Sequence, residues 1–325
     1  MSSSDLSRKA HNKSQHNTAM SSASSSKRIA VAGVGSLGLP IVLALLQAGY
    51  SVTILTRSAN TKKEGIPAGA NVEYAMVDYT SVSSMKRALE GHYGVVSTLT
   101  TTSVGAQTPL IEASVQAGVS RFIPSEFGSD TTNPKSKTLP VYGDKVATQA
   151  KLAEVAAKNP SWSYTTLMNG PFFDWCLMVG FFGIDLKKHT ATLYNGGDRR
   201  FSTTTLAGVG KAVVGIFAHP EETKNRTIRV HETVITQKKV IDIAQRLDPA
   251  EWTYQAADTE ELKSQAFEVL SSGKSEQIMG AMLNFILSAV LGEGYGGEFV
   301  STENETLGVP LLDEAGVEKV VAQFI

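Results

Sequence analysis

The fold is decided by residues 27–57, which read KRIAVAGVGSLGLPIVLALLQAGYSVTILTR. The uninterrupted apolar run at 29–32 predicts a strand that is buried on both faces. It leads directly into 33–38, a G-x-G-x-x-G sequence, and the apolar spacing over 39–46 then predicts a helix that ends near Gly49. A second β-rich run occupies 51–55. Strand, glycine-rich turn, helix and strand together indicate the first βαβ unit of a dinucleotide-binding fold.

Each glycine of this turn has its own predicted role. Gly33 permits a tight turn out of the strand, Gly35 lets the main chain approach a pyrophosphate, and Gly38 lets the helix pack closely on the sheet. The phosphates would then meet free N–H groups at the helix N-terminus. The alternative is an ordinary βα turn in some other α/β protein. We predict a cofactor-binding loop with these members: Gly33, Val34, Gly35, Ser36, Leu37 and Gly38.

The end of the second strand indicates which dinucleotide is bound. Sites that prefer NAD usually have an acidic residue there, whereas this chain has Thr56, Arg57 and Ser58, with Lys62 and Lys63 just beyond. A guanidinium suits a 2′-phosphate because it can donate two parallel hydrogen bonds. We therefore predict NADPH as the cofactor, with Arg57 and Ser58 on the 2′-phosphate. The alternative is a solvated arginine at a strand end.

The composition bounds the possible partners. The chain has 325 residues, a net charge of −1 and a single cysteine, Cys176. The near-neutral charge argues against a nucleic-acid-binding surface or a patch for anionic membranes, so we expect neither partner. One cysteine cannot form an internal disulfide, which favours a cytoplasmic location. We also expect no metal, because the histidines beyond the first 26 residues lack the spacing of a metal site: His92, His189, His219 and His231. His92 is expected at the surface, in a loop between a helix and a strand.

Two segments raise the question of targeting. The first 26 residues are rich in serine and poor in apolar residues, which predicts a disordered tail. A transit peptide is a weaker alternative, and Met20 is a second candidate start. The longest uncharged apolar segment, 278–291, is too short to span a bilayer and is predicted to form a core helix.

After Arg57 the pattern alternates between strands and helices. This alternation predicts an α/β protein with a Rossmann-type, doubly wound parallel sheet. Strands are predicted at 72–77, 94–99, 121–124, 163–168 and 227–230. Helices are predicted at 82–89, 105–117, 206–217 and 236–247, with another that opens around 142–145.

Ligands of such sheets bind outside the carboxyl ends of the strands, so the turns there are candidate cofactor contacts. Asp78 ends the third strand and could bind the adenine, although a turn or helix-capping role is equally expected. Thr98, Thr100 and Thr101 follow the fourth strand near the expected nicotinamide ribose, with a plain threonine-rich loop as the alternative. Asn169 ends the sixth strand and could hydrogen-bond the cofactor or the substrate.

Several stretches carry a family resemblance. They read PSEFG at 124–128, YGDK at 142–145, NGPFF at 169–173, YNGG at 194–197, TTT at 203–205 and HPEETKNR at 219–226. With these stretches, the chain from residue 27 onward resembles the isoflavone reductase-like branch of the NmrA-like family. That branch includes plant phenylcoumaran benzylic ether reductases and many fungal oxidoreductases.

The resemblance implies roles for single residues. The loop at 33–38 and Arg57 would hold NADP, Lys145 would be the catalytic proton donor or acceptor, and Phe127 would lie beside the nicotinamide. Burial and a nearby cation lower the pKa of a lysine and suit it to proton exchange, although a lysine early in a helix is usually solvated. Tyr142, three residues earlier, could enter the same cleft. The plant reductases have arginine four residues after the lysine, where this chain has Gln149, so their substrates are not carried over.

We expect two lobes. An NADP-binding domain would comprise 27–170 plus about 203–250, and a smaller, discontinuous α+β substrate lobe would comprise about 171–202 plus 251–325. The aromatic cluster after the sixth strand predicts an apolar pocket and an uncharged, preferably aromatic substrate, with plain core packing as the alternative. The predicted pocket residues are Phe127, Phe172, Phe173 and Trp175, and a candidate opposite wall is Met279, Met282, Phe285 and Ile286.

Two functions fit these observations. The first is an NADPH-dependent reductase of a small molecule, for instance in secondary metabolism, that acts as a monomer or homodimer. The second is a non-catalytic NmrA-like sensor that binds NADP(H) and regulates a transcription factor. Lys145 in the reductase-type position favours the enzyme, because a sensor needs no acid or base beside the nicotinamide.

Overall fold

The computed structural model describes residues 27–58, 63–100, 105, 107–273 and 275–325. The predicted tail at 1–26 lies outside the described residues, and so do Lys62 and Thr101.

The described residues form strands and helices in the predicted alternation, and predicted and observed limits agree within a few residues. The strands are β1 (Arg28–Ala32), β2 (Ser51–Thr56), β3 (Val72–Met76), β4 (Gly94–Ser97), β5 (Arg121–Ile123), β6 (Ser163–Met168), β7 (Ile184–Asp185), β8 (Thr190–Tyr194), β9 (Phe201–Thr203), β10 (Arg226–Arg229), β11 (Thr233–Ile235) and β12 (Thr253–Ala257). The helices are α1 (Gly38–Gln47), α2 (Val82–Leu89), α3 (Gln107–Gln116), α4 (Gly143–Lys158), α5 (Phe173–Met178), α6 (Leu206–Ala218), α7 (Gln237–Leu247), α8 (Thr259–Ser272), α9 (Ile278–Leu291), α10 (Asn304–Leu307) and α11 (Glu314–Val321).

Seven parallel strands form the central sheet in the order β10-β6-β5-β4-β1-β2-β3. β1 lies between β4 and β2, so that Val31 is level with Ile54 on one side and with Val96 on the other. The connections leave β1 in both directions across the sheet, which is the topology of a doubly wound α/β fold. The predicted fold class is confirmed.

β1 is buried on both faces because successive side chains of a strand point to opposite sides. Ile29 and Val31 pack in a core that includes α1 and α6. Ala30 and Ala32 pack in a second core that includes α2, α3 and α4. The uninterrupted apolar run in the sequence is therefore the consequence of helices on both faces of a parallel sheet.

A third core lies mainly in the residues predicted to form the second lobe, and α5, α7, α9 and α11 contribute buried side chains to it. β8 pairs in parallel with β12 and antiparallel with β7, and β9 pairs antiparallel with β11. The predicted limits of the two lobes stay a prediction. Val240 and Ile241 of α7 pack in the core of the second lobe, whereas Leu307 and Val309, near the C-terminus, pack in a core of the sheet domain.

His92 does not lie at the surface, so that prediction is wrong. Its side chain is only 4% exposed, and its Nε2 lies 2.8 Å from the hydroxyl of Thr53 on β2. Gly91, in the turn before it, has a φ of 76°, and the imidazole packs against β2. Burial lowers the pKa of His92 because it disfavours the charged form of the ring.

The segment at 278–291 forms α9 with the predicted limits, but it is amphipathic rather than buried all round. Phe285 is fully buried, whereas Met279 is 59% exposed. Of the helices in the part of the chain that the structure describes, none is long and apolar enough to cross a membrane.

Gly170 provides a test of the close contact between the end of β6 and β9. It has a φ of 65°, and a Cβ there would overlap the carbonyl oxygen of Ser202. Gly118 has a similar φ of 75°, but a Cβ there would meet no atom within 4 Å. We expect Gly118→Ala to lower the free energy of unfolding by about 1 kcal/mol through backbone strain alone. Gly170→Ala should lower it by about 3 kcal/mol or more, because main-chain atoms must also move. Chemical denaturation measures both, and equal losses would contradict this close contact.

Candidate functional site

A cleft of about 1430 Å³ runs along the carboxyl ends of the sheet strands. Its walls are the turns that follow β1 to β5, together with the starts of α4 and α5. The connections reverse direction at β1, so the cleft crosses the switch point where doubly wound sheets bind their ligands.

The glycine loop is held together by contact between its two ends. A Cβ on residue 38 would overlap the carbonyl oxygen of Gly33 and would lie 2.9 Å from the hydroxyl of Thr98. Gly33 has a φ of 89°, and a Cβ there would lie 3.0 Å from the carbonyl oxygen of Thr98. The Thr98 hydroxyl hydrogen-bonds the carbonyl oxygens of Gly33 and Ala32. α1 therefore begins as close to β1 and β4 as main-chain atoms allow.

Gly35 meets a different requirement. It lines the cleft, and a Cβ there would meet no protein atom within 4 Å. α1 begins directly behind it and has no acidic residue in its first turn. The N–H groups of Leu39 and Ile41 donate to the carbonyl oxygens of Gly35 and Leu37, and this end of the helix carries a partial positive charge. The loop thus fits an anionic group such as a pyrophosphate.

Arg57, Ser58 and Lys63 line the cleft beyond the end of β2. Arg57 is exposed, and no ion pair among the described residues involves it. The main-chain N–H of Ser58 donates to the hydroxyl of Thr56 at 3.2 Å, which shapes the turn. Two cationic side chains and a hydroxyl at this position suit a phosphate group.

Asp78 also lines the cleft, at the end of β3, but its carboxylate is engaged in the local turn. Its Oδ1 accepts hydrogen bonds from the N–H and the hydroxyl of Thr80, at 2.8 and 2.6 Å. These bonds lower the pKa of Asp78 because they stabilise the carboxylate. The turn role is therefore observed, and the contact with adenine stays a prediction.

Lys145 lies in the first turn of α4 and lines the cleft on the β5 side. Its ammonium group donates a hydrogen bond to the carbonyl oxygen of Glu126. Desolvation of the ammonium lowers the pKa of Lys145, and the nearby carboxylate of Glu126 partly opposes this effect. A lysine with a lowered pKa in a cleft is suited to proton transfer.

Phe127 has a φ of 34°, a left-handed conformation that is rare for an aromatic residue. Its N–H donates to the carbonyl oxygen of Leu167 on β6 at 3.0 Å. The carbonyl oxygen of Gly128 accepts from the N–H groups of Asn169 and Gly170 at 3.2 and 3.0 Å. The end of β6 thus holds the turn after β5 in a strained shape, a condition typical of functional sites.

The structure brings three of the four predicted pocket aromatics to the cleft: Phe127, Phe172 and Trp175. Phe173 requires a correction, because it is fully buried in the core of the second lobe. Adjacent residues at the start of α5 face different directions, so Phe172 reaches the cleft and Phe173 does not. The stripe on α9 does not line the cleft either, since Phe285 and Met282 pack with Tyr142 in a separate cluster.

Two further candidates also lie outside the cleft. Asn169 is fully buried, and its Nδ2 donates to the carbonyl oxygen of Gly170 at 2.7 Å. Tyr142 is buried as well, its hydroxyl lies 2.8 Å from that of Ser129, and burial raises the pKa of its phenol. Neither side chain is among those that line the cleft.

Comparison with known proteins agrees with this geometry. The model of the NmrA-like family matches residues 25–290. The chain belongs to the NmrA-like family. It is 35% identical over 305 residues to the oxidoreductase aprR of Aspergillus flavus, covering 92% of this chain and 98% of the relative.

Solved structures share the fold of this NmrA-like protein. The crystal structure of isoflavone reductase superposes with a TM-score of 0.71 at 18% identity, and covers 92% of this chain and 100% of its own. The structure of AtPrR2 with NADP⁺ and (+)pinoresinol superposes with a TM-score of 0.71 at 20% identity, and covers 92% and 99%. The relatives support an oxidoreductase as the class of protein.

Most of the predicted site residues line the NmrA-like cleft: Gly33, Val34, Gly35, Ser36, Leu37, Gly38, Arg57, Ser58, Asp78, Thr98, Thr100, Phe127, Lys145, Phe172 and Trp175. The cleft is also lined by Tyr79, Thr80, Ser125 and Glu126, to which the sequence prediction gave no individual role. Ser125 and Glu126 belong to the PSEFG stretch, which could have indicated that they lie at the site. The burial of a glutamate cannot be inferred from the sequence. In the part of the chain that the structure describes, no group of three or more His, Cys, Asp or Glu could hold a metal ion.

Gly35 and Gly38 form a matched pair for testing the loop. We expect Gly35→Val to fold normally, because a Cβ there meets no protein atom within 4 Å, but to weaken dinucleotide binding by about 100-fold or more. Gly38→Val should instead lower the melting temperature, because its Cβ would overlap the Gly33 carbonyl. Fluorescence titration with NADPH and thermal denaturation separate the two effects. Unchanged affinity in folded Gly35→Val would show that the phosphates bind elsewhere.

Proposed function

We propose that this protein is an NADPH-dependent reductase that transfers hydride to a small, uncharged and aromatic substrate. The observation that carries the proposal is that one cleft contains an anion-binding glycine loop, a cationic wall at Arg57 and a desolvated lysine, Lys145. In the order of the sheet, Arg57 follows β2 on one side of β1, and Lys145 lies by β5 on the other. An extended dinucleotide that spans the loop would reach both.

The size and chemistry of the cleft support NADPH together with a second molecule. About 1430 Å³ exceeds the roughly 300–1,000 Å³ typical of a pocket for one ligand. The exposed guanidinium of Arg57, with Lys63 and Ser58, matches the charge and the acceptors of a 2′-phosphate. The structure of AtPrR2 contains NADP⁺, and its fold is similar.

Lys145 is the proton donor or acceptor in this proposal. The nicotinamide supplies the hydride. Lys145 gives a proton to the substrate atom that becomes more basic as hydride arrives, or takes one in the reverse direction, and then exchanges it with solvent. Its lowered pKa brings the ammonium and amine forms closer in energy at physiological pH, which favours both transfers.

The side chains around Lys145 favour an uncharged substrate. Phe127, Phe172 and Trp175 contribute apolar ring surface to the wall of the cleft. Aromatic rings stack on one another and exclude water, which strengthens electrostatic interactions with Lys145. Small aromatic ketones, enones and benzylic ethers have the required shape and an acceptor for a proton.

Arg57→Glu tests the choice of cofactor. We expect the variant to bind NADPH about 10- to 100-fold more weakly, because charge-assisted hydrogen bonds to the 2′-phosphate are lost and replaced by repulsion. Its affinity for NADH should be nearly unchanged. Arg87→Glu on α2 is the control, since that exposed arginine lies outside the cleft and the substitution changes the net charge equally. An unaltered preference in Arg57→Glu would rule out this 2′-phosphate site.

Lys145→Ala tests the reaction. We expect NADPH oxidation with a panel of aromatic ketones, enones and benzylic ethers to fall by about 10²- to 10⁴-fold, while NADPH affinity changes little. Lys151→Ala is the matched control, because Lys151 is on the same helix but outside the cleft. Loss of nicotinamide absorbance and product mass are the measurements. Tight NADPH binding without any turnover, together with a co-purifying transcription factor, would support the sensor instead.

A further inference from the structure

Glu126 is the most deeply buried carboxylate in the wall of the cleft, and the reaction proposed above does not use it. Its side chain is 2% exposed. Its Oε2 accepts a hydrogen bond from the hydroxyl of Thr131 at 3.0 Å, and its Oε1 accepts one from the amide of Gln149 at 3.0 Å. A buried carboxylate is costly unless its oxygens are hydrogen-bonded and its charge is balanced.

Lys145, on α4, is the cation beside Glu126. Its ammonium group donates to the main-chain carbonyl oxygen of Glu126, so the two residues are joined whatever the side-chain charges. Burial raises the pKa of Glu126 and lowers the pKa of Lys145, and the attraction between the two opposite charges opposes both effects. The other ionisable groups that face the pair are Asp130, which opposes the charge of Glu126, and Tyr142, whose ring centre is 6.0 Å from the ammonium nitrogen.

Gln149 contacts the carboxylate of Glu126 without neutralising its charge, so that charge acts on Lys145. It lies one helical turn after Lys145 on α4, and its Nε2 donates both to Glu126 and to the hydroxyl of Thr131, the latter at 2.6 Å. The amide orients the carboxylate but carries no charge of its own. A cation at this position would form an ion pair with Glu126 and would also repel the ammonium of Lys145.

We propose that Glu126 is a positioning residue that stabilises the ammonium form of Lys145, and that the neutral side chain of Gln149 leaves the carboxylate free to do so. The proposal rests on the proposed function, in which Lys145 transfers the proton. Glu126 does not touch the substrate in this view. It acts by holding a proton on Lys145 until the substrate takes it.

The signs of the expected changes follow from the charges. Without the carboxylate, nothing charged opposes the effect of desolvation on the ammonium. Glu126→Gln should therefore lower the pKa of Lys145 further and move its titration midpoint to lower pH. Gln149→Arg moves the midpoint in the same direction, because a positive charge is added while Glu126 remains. Glu126→Asp keeps the negative charge, and Gln149→Met removes the amide without adding charge, so both midpoints should stay close to that of the wild type.

The experiment measures the protonation of Lys145 directly in the full chain. Reductive methylation with formaldehyde and cyanoborohydride modifies the neutral amine, and mass spectrometry of the peptide that carries Lys145 gives its rate as a function of pH. At a pH below the wild-type midpoint, we expect Glu126→Gln and Gln149→Arg to be modified about tenfold faster, since an opposite charge shifts such an equilibrium by this order. If Glu126→Gln fails to fold, Gln149→Arg decides the question.

Two outcomes would overturn the proposal. One is a wild-type midpoint in folded Glu126→Gln or, should that variant be unfolded, in Gln149→Arg. The other is an equal shift in Gln149→Met and Gln149→Arg, which would show that charge is not the cause. The labelling needs no turnover, so a shifted midpoint in a protein that reduces nothing would support the effect of Glu126 on Lys145 and reject the reductase. With turnover, the Lys145-dependent limb of the pH–rate profile should move with the labelling midpoint, which a merely structural role of Glu126 would not produce.

Discussion

The contact between the carbonyl oxygen of Gly33 and Cα of Gly38 is the constraint on which the site depends. A Cβ on residue 38 would overlap that oxygen, so α1 can begin this close to β1 only when the residue is glycine. The hydroxyl of Thr98 closes the arrangement from β4. The N-terminal end of α1, with its partial positive charge, therefore lies at the carboxyl ends of the central strands, at the switch point of the sheet. Every other element of the cleft is arranged around this point.

The opposite end of the cleft depends on charged groups that are partly or wholly removed from water. Glu126 is buried and accepts hydrogen bonds from Thr131 and Gln149, whereas Lys145 is half-buried and donates to the carbonyl oxygen of Glu126. Burial of two opposite charges is usually unfavourable relative to apolar packing, so such an arrangement contributes little to stability. In a cleft it is useful, because desolvation makes the proton on lysine sensitive to small changes in the surrounding charge. The strained turn at Phe127 provides the main-chain carbonyl that holds this lysine in place.

The glycine loop and the lysine belong to one site because the sheet brings them together. Residues 33–38 and Lys145 are more than 100 positions apart in the chain. They meet because β1 and β5 are separated by a single strand, β4, and both end at the same edge. The similar fold of isoflavone reductase, at 18% identity, agrees with this, since a fold can be kept when most side chains differ.

The sequence alone determined the sheet, the glycine loop and most of the cleft, because these depend on local patterns. A run of apolar residues between two helices must be buried on both faces, and the glycines at 33, 35 and 38 have spacing that few other turns require. Lys145 could be predicted from its family stretch. The tertiary structure alone decided which neighbours reach the cleft. Phe172 and Phe173 are chemically identical, but one lines the cleft and the other is in the core of the second lobe. Asn169 and His92 are buried, and Glu126 becomes the partner of Lys145, because burial and charge balance arise from elements that are distant in the chain and leave no periodic signal in it.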